Sequence, residues 1–149
     1  MAQQRVRIVE VAPRDGLQAI STTVPTKTKL ELIRRLRDAN LDTIEITSVV
    51  SPKAIPQLAD CIDVLQSDIV RSLFSQQQTS PETLRLPVLV PNIKGLEIAL
   101  QHGAQEVAVF VSATEGFSRA NTKCSVEEGL HRAREVAKFA RTKKIAVRG

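Results

Sequence analysis

Short apolar runs alternate with amphipathic helical segments along the whole chain, and this alternation constrains the fold more than any other feature of the sequence. The spacing predicts strands at 5–11, 43–47, 86–90, 106–111 and 144–147. A helical segment is predicted between each strand and the next. The order β-α-β-α-β-α-β-α-β predicts right-handed crossovers and a parallel sheet of the α/β class.

The alternation is compatible with two architectures, an open doubly wound sheet and part of an eight-stranded barrel. No G-x-G-x-x-G motif follows the first predicted strand, so nothing supports the dinucleotide-binding version of the open sheet. A chain of 149 residues fits one ordinary domain.

The composition excludes several classes of partner. The net charge is +5, but the basic residues are spread through the predicted helices and the only aromatic residues are four Phe. A solvated helix face explains that pattern better than a nucleic-acid surface. Cys61 and Cys124 lack metal-type spacing, and no apolar run approaches membrane length. We expect no nucleic-acid or membrane partner, and a cytoplasmic location, or the mitochondrial matrix for a processed eukaryotic protein.

Local signals predict where several helices begin and which segments are irregular. Thr26 is predicted to cap a helix over 26–40, and Asn92 a helix that ends near Gly103. Ser125 begins a capping-box pattern. The polar run 75–80 is predicted as a surface connection and 112–124 as a long loop.

Polar side chains follow three of the predicted strands. The first strand ends at Pro13 and turns at Gly16, which leaves Arg14 and Asp15 at its carboxyl end. Taken alone, Pro-x-Asp-Gly is ordinary turn chemistry, and that interpretation is the stronger one for an isolated motif.

The second and third strands place Glu45, Ser48 and Asn92 at or near their carboxyl ends. Taken singly, Glu45 is best explained as a surface acid paired with an arginine, and Asn92 as a simple helix cap. Because the carboxyl ends of parallel strands lie on one rim, these residues are nevertheless candidates to converge with Arg14 and Asp15.

Four motifs lie on successive βα units. They are Val-Ala-Pro-Arg-Asp-Gly-Leu-Gln at 11–18, Glu-Ile-Thr-Ser-Val-Val-Ser-Pro-Lys at 45–53, Val-Pro-Asn-Ile-Lys-Gly at 90–95, and 110–117 followed by Asn121 and Cys124-Ser125. Together these motifs resemble those of hydroxymethylglutaryl-CoA lyase. The family lies in a barrel superfamily with isopropylmalate and homocitrate synthases. Those synthases usually have threonine and leucine where this chain has Ala12-Pro13, which favours the lyase branch. The resemblance implies the N-terminal part of a TIM (β/α)8 barrel, about four βα units plus a fifth strand.

The same resemblance implies a reaction and a role for each candidate residue. The family cleaves 3-hydroxy-3-methylglutaryl-CoA, an acyl-CoA, into acetyl-CoA and acetoacetate with a divalent cation, Mg²⁺ or Mn²⁺. Arg14 is implied as a catalytic residue that faces the thioester, Glu45 as a catalytic residue that orients Arg14 and the metal, and Asp15 as a metal ligand. Further substrate contacts are implied for Gln18, Ser48 and Asn92.

Part of the family's site has no counterpart in this sequence. The His-x-His pair, a later asparagine ligand and a catalytic cysteine in a glycine-rich loop are absent, and His102 and His131 are too far apart to form that pair. We therefore expect 1–149 to be a single partial barrel domain, truncated at its C-terminus and inactive alone.

Two other functions stay open. One is a non-catalytic half-barrel, an interaction module or degenerate fragment, and the other is a related acyl-CoA aldol or Claisen enzyme of the same superfamily. Unpaired sheet edges in a partial barrel predict a homo-oligomer or association with another chain.

Overall fold

The computed structural model describes residues 6–149. Its helices, α1 to α6, are Thr26–Asp38, Cys61–Gln66, Asp68–Thr79, Ile93–Gln101, Glu115–Thr122 and Val126–Thr142. Its strands, β1 to β4, are Thr47–Ser48, Val88–Leu89, Glu106–Ala108 and Ala146–Arg148. A π-helical turn at Ala12–Gly16 and a 3₁₀ turn at Pro56–Leu58 complete the elements seen in this part of the chain.

The four strands form one parallel sheet in the order β1-β2-β3-β4. Strands that are neighbours in sequence are therefore neighbours in space. Because crossovers between parallel strands are right-handed, this order keeps every connecting helix on the same face of the sheet. A doubly wound sheet reverses its strand order and covers both faces. The order is that of a barrel, and it confirms the predicted parallel α/β architecture.

The first predicted strand, 5–11, is reduced to a single bridge. Its residue Arg5 lies outside the described residues. In the rest of the segment, Glu10 pairs in parallel with Ile44. The Glu10 N–H donates to the Thr43 carbonyl at 2.9 Å, and the Glu45 N–H donates to the Glu10 carbonyl at 2.8 Å. The chain thus follows five successive parallel segments, although the first contributes only this contact.

The second segment is buried on both faces. Every residue from 43 to 49 is buried, as expected of a strand covered on both sides. Thr43 pairs with Arg85 and Thr47 pairs with Val88, so the path between the pairs is one residue longer on the Thr43–Thr47 side. This extra residue is a β-bulge, a feature common beside active sites.

The core lies between the sheet and the helices and is almost entirely aliphatic. Phe74 is its one fully buried aromatic ring among the described residues, in keeping with the low aromatic content of the sequence. Close packing of these side chains holds the strand ends in place. Its fully buried members include Ile33, Ile44, Ile46, Leu65, Leu84, Leu86, Leu96, Val107 and Val136.

Two irregular segments predicted from the sequence are helical. The predicted connection at 75–80 is instead the last turns of α3, because Gln77 is on the buried face next to Phe74 and glutamine is a good helix former. The predicted loop at 112–124 contains α5. The Thr114 hydroxyl caps α5 by accepting from the Phe117 N–H at 3.4 Å. This cap depends on one threonine, and the pattern of the surrounding residues did not reveal it.

The predicted helix caps are confirmed at two positions and wrong at one. Ser125 and Glu128 form the capping box, and the Asn92 Oδ1 accepts from the Gly95 N–H at 3.0 Å. Thr26, in contrast, is already helical. Its hydroxyl donates to the Asp60 carboxylate at 2.6 Å, so it joins α1 to the segment before α2 instead of capping α1.

Among residues 6–149, none of the helices has the length and apolar character needed to span a membrane.

Candidate active site

The first strand runs into a tight turn that presents two charged side chains. In Ala12–Gly16, Pro13 is buried and occupies the first turn, where its missing N–H has no cost. The N–H groups of Arg14 and Asp15 both donate to the Val11 carbonyl, at 3.1 and 2.7 Å. The motif is therefore a turn, as its residues predict, and it has the wide winding of a π-helix.

Arg14 connects a buried acid to an exposed acid. Its Nε donates to Glu45 Oε1, and its Nη1 donates to Asp15 Oδ1 at 2.6 Å. The Arg14 side chain is 16% exposed, whereas that of Asp15 is 59% exposed. The guanidinium is thus held at the boundary between the interior and solvent, and its Nη2 has no partner among the residues that the structure describes.

Glu45 is completely buried, which contradicts the interpretation of it as a surface acid. Its second oxygen, Oε2, accepts from Nη2 of Arg148 in β4. Arg148 was not among the predicted site residues, because the fifth predicted strand, 144–147, ends one residue before it. Its position at the carboxyl end of a strand, where the other candidate residues also lie, was the signal that could have identified it.

The four charged groups balance one another. Two guanidiniums, Arg14 and Arg148, meet two carboxylates, Asp15 and Glu45. A buried carboxylate is tolerated only when paired and hydrogen-bonded, and both Glu45 oxygens satisfy that condition. A guanidinium fixed in this way and open to solvent on one side can donate hydrogen bonds to an anionic oxygen of a bound molecule.

The other three candidate residues are placed differently. Ser48 is fully buried, and its hydroxyl donates to the Leu89 carbonyl at 3.2 Å. Asn92 is exposed and caps α4, as the simpler interpretation predicted. Gln18 is half-buried just after the Arg14–Asp15 turn. No hydrogen bond in the described part of the chain joins these three to Arg14, and their role in substrate binding stays a prediction.

The donor set available for a metal ion is small. In residues 6–149 there is no group of three His, Cys, Asp or Glu side chains that could hold a metal ion. Asp15 offers an exposed carboxylate, while both oxygens of Glu45 are occupied by arginines. The described residues therefore do not make a complete metal site.

The histidines and cysteines lie away from this cluster. His102 follows the last residue of α4, and His131 is exposed on α6. Burial raises the pKa of the Cys61 thiol, which lowers its reactivity. Cys124 is buried with its Sγ 3.1 Å from the Thr122 hydroxyl. The prediction that both are structural thiols agrees with these positions.

A parallel sheet in barrel order, with an arginine–carboxylate cluster at the carboxyl ends of its strands, defines this chain as part of a TIM barrel. A family model described as HMGL-like matches residues 5–149, and the chain belongs to that family.

Curated relatives of the chain are hydroxymethylglutaryl-CoA lyases. It is 50% identical to the mitochondrial enzyme of Arabidopsis thaliana over 144 residues, which is 97% of this chain and 29% of that protein. Relatives of this kind include mitochondrial enzymes and a cytoplasmic enzyme of Mus musculus. The chain therefore spans less than half the length of the curated relatives it matches.

Solved structures agree with this assignment. The HMG-CoA lyase of Brucella melitensis superposes with a TM-score of 0.81 at 43% identity, covering 97% of this chain and 48% of that one. An HMG-CoA lyase of Acinetobacter baumannii, solved with coenzyme A and 3-methylmalate, superposes with a TM-score of 0.79 at 31% identity, covering 95% and 43%. The expected N-terminal part of a TIM barrel is confirmed.

Proposed function

We propose that this chain forms the Arg14–Asp15–Glu45 side of a lyase site that cleaves 3-hydroxy-3-methylglutaryl-CoA into acetyl-CoA and acetoacetate. The observation that carries the proposal is the placement of Arg14. A buried carboxylate fixes its Nε while the rest of the guanidinium faces an exposed rim of the sheet. Family membership and relatives that are lyases supply the substrate class.

The reaction needs a group that stabilises negative charge on oxygen. The substrate's tertiary hydroxyl loses its proton and becomes the ketone of acetoacetate, while the bond to the carbon beside the thioester breaks. The bonding electrons pass to the thioester as an enolate, and a proton added to that carbon completes acetyl-CoA. Arg14 donates hydrogen bonds to the enolate oxygen, and Glu45 holds the guanidinium so that little reorganisation is needed.

We also infer that Asp15 is one ligand of a divalent cation, Mg²⁺ or Mn²⁺. A carboxylate oxygen suits such hard cations, which keep several waters when few protein ligands are present. When bound, the cation supplies Lewis-acid polarisation of a substrate oxygen. Because the described residues do not complete its ligand set, no step of the mechanism above is assigned to it.

Gln18, Ser48 and Asn92 are proposed as contacts to the acyl-CoA or to the groups around Arg14. Gln18 has the best position of the three, because it follows the Arg14–Asp15 turn directly and is half-buried. Coenzyme A bound to the Acinetobacter baumannii relative supports an acyl-CoA as the small-molecule partner. We place the protein in the cytoplasm or the mitochondrial matrix, because its relatives include enzymes named as mitochondrial and as cytoplasmic.

The test is release of acetoacetate from 3-hydroxy-3-methylglutaryl-CoA with and without Mn²⁺. It is run on the 149-residue chain and on a graft in which this chain replaces the matching segment of the Brucella melitensis lyase. We expect little or no activity from the chain alone and metal-dependent turnover from the graft. A folded but inactive graft would overturn the proposed function, and robust turnover by the chain alone would overturn the expected dependence on further residues.

A second candidate, an association module, is favoured by one observation. Val6 and Ile8, on the segment that leads to Glu10, are 86% and 74% exposed, and β4 is the last strand in the observed order. Exposed apolar residues beside an unpaired strand edge promote pairing with another chain. The mass of the 149-residue chain in solution tests this: a monomer at high concentration contradicts it, and a dimer broken by Ile8→Lys supports it.

A further inference from the structure

Arg148 makes the longest-range polar contact of the site. It lies in β4, and its partner Glu45 is 103 positions away in the segment that precedes β1. Two strands, β2 and β3, separate these segments in the sheet. The ion pair between Arg148 and Glu45 therefore spans the sheet and is not a contact between neighbouring strands.

The contact leaves Glu45 with no free oxygen. Arg14 takes Oε1 and Arg148 takes Oε2, while the side chain of Glu45 is completely buried. The rotamer of such a carboxylate is set by two planar guanidinium donors, one from each edge of the sheet. Removal of either donor allows the carboxylate to rotate towards the other.

Arg14 is the group that such a rotation would affect. Its Nε donates a hydrogen bond to Glu45, and its Nη1 donates one to the exposed Asp15. Without Arg148, two carboxylates would compete for one guanidinium, and Glu45 would draw Arg14 inward, away from Asp15 and the rim. Arg148 thus balances the charge of the cluster as well as its geometry.

We propose that Arg148 is a positioning residue, which holds the Glu45 carboxylate so that Arg14 keeps its orientation at the rim. It acts on the site through Glu45 and makes no contact with substrate in this scheme. The role in orienting Arg14 stands on the ion-pair geometry, whereas its catalytic consequence rests on the proposed lyase function.

The test follows the Arg14 Nε–H signal by ¹H–¹⁵N NMR in the 149-residue chain. In Arg148→Gln, hydrogen exchange at this group is expected to slow about tenfold or more, because Glu45 then draws Arg14 inward and strengthens the charge-assisted hydrogen bond from Nε. Arg148→Lys keeps the charge and restores most of the original exchange rate. Arg35→Gln, which removes an exposed arginine paired with Glu31 on α1, is the matched control and leaves the signal unchanged.

A double-mutant cycle separates positioning from a general loss of structure. In a Glu45→Gln background, Arg148→Gln is expected to add no further change at Arg14, because the coupling passes through the carboxylate. Arg148→Met, which keeps the packing of the aliphatic stem, serves as the neutral variant if Arg148→Gln does not fold. An unchanged Arg14 signal in a folded neutral variant, or an equal change in the Glu45→Gln background, would overturn the proposal.

The catalytic consequence is read separately in the graft with the Brucella melitensis lyase. Arg148→Gln is expected to lower kcat about tenfold with a smaller change in KM, and Arg148→Lys to recover part of it. An inactive parent graft counts against the lyase function, while the NMR result still decides the role of Arg148.

Discussion

Two buried glutamates in the same sheet are paired with arginines in different ways. Glu106, 2% exposed at the start of β3, accepts from Nε of Arg85 at 2.7 Å. Glu45 is fully buried and accepts from Arg14 and Arg148, 31 and 103 positions away. Glu106 is thus paired with one arginine from the adjoining segment, whereas Glu45 is paired with two arginines that come from the two opposite edges of the sheet.

The difference separates an ion pair that stabilises the fold from a candidate functional site. The Arg85–Glu106 pair lies near the amino ends of the strands, where barrel residues serve stability, and its two charges cancel locally. Around Glu45, the positive charge of the second arginine is neutralised only by the carboxylate of the exposed Asp15. A charged pair extended by an exposed acid at the carboxyl-end rim has groups available for a ligand.

The largest expected effect comes from Arg14→Met. In the Brucella melitensis graft it should lower turnover by about a hundredfold or more, roughly 3 kcal/mol of barrier, because the enolate oxygen loses its preorganised donor. Arg85→Met is the control from the other pair and should leave turnover within about threefold, since it acts at the opposite strand ends. Acetoacetate release measures both, and near-normal activity of Arg14→Met would remove this residue from the mechanism.

The two glutamates themselves should differ in stability. Glu45→Gln should reduce the free energy of unfolding by about 3 kcal/mol, because two partly buried guanidiniums lose their shared carboxylate. Glu106→Gln should cost about 1 to 2 kcal/mol, because Arg85 is 34% exposed and can be hydrated. Urea unfolding of the 149-residue chain measures the two values, and equal losses would contradict the distinction.

Asp15→Asn should affect binding and leave stability almost unchanged. The side chain is 59% exposed, so the free energy of unfolding should change by no more than about 0.5 kcal/mol. Weak Mn²⁺ binding by the chain, followed by the electron paramagnetic resonance of free Mn²⁺, should disappear. Asp63→Asn, at an exposed acid on α2, is the control that should retain binding. Full binding in Asp15→Asn would exclude Asp15 as a ligand.

The smallest effect is expected at an exposed acid with a strongly shifted pKa. Hydrogen bonds from Arg34 and Arg35 lower the pKa of Glu31 from 4.5 to about 2. A lowered pKa favours the folded state above pH 4.5, and this contribution is lost as the pH falls towards 2. Glu31 is on the solvated face of α1, so Glu31→Gln should alter stability at pH 7 far less than either buried glutamate. Thermal unfolding between pH 2 and 7 tests this, and a loss as large as that of Glu45→Gln would contradict it.

Much of the fold was readable in the sequence because its signals are local. The alternation of strands and helices, the Ser125 capping box and the Asn92 cap depend on residues within one or two turns. Errors occurred where a buried contact decided the outcome. Helix α3 extends to Thr79 because Gln77 is buried. The Thr26 hydroxyl donates to Asp60 instead of capping its own helix.

The candidate site was predicted in part. Four linked motifs identified Arg14, Asp15 and Glu45, and the structure brings these three together. The same motifs did not reveal that Ser48 donates to a main-chain carbonyl, because a serine at a strand end has the same local pattern in either role. Whether Gln18, Ser48 and Asn92 contact substrate stays a prediction.

The Arg-Asp turn, the aliphatic core and the parallel sheet follow from the order of residues, because turn chemistry, hydrophobic periodicity and crossover handedness are short-range rules. The meeting of Arg148 with Glu45 does not follow from any such rule. It needs the folded sheet to bring segments 103 positions apart into contact. The burial of Glu45 is what makes a second guanidinium necessary for its carboxylate. Tertiary structure therefore decided how the Arg14 guanidinium is held, while the local sequence decided that it is at the rim.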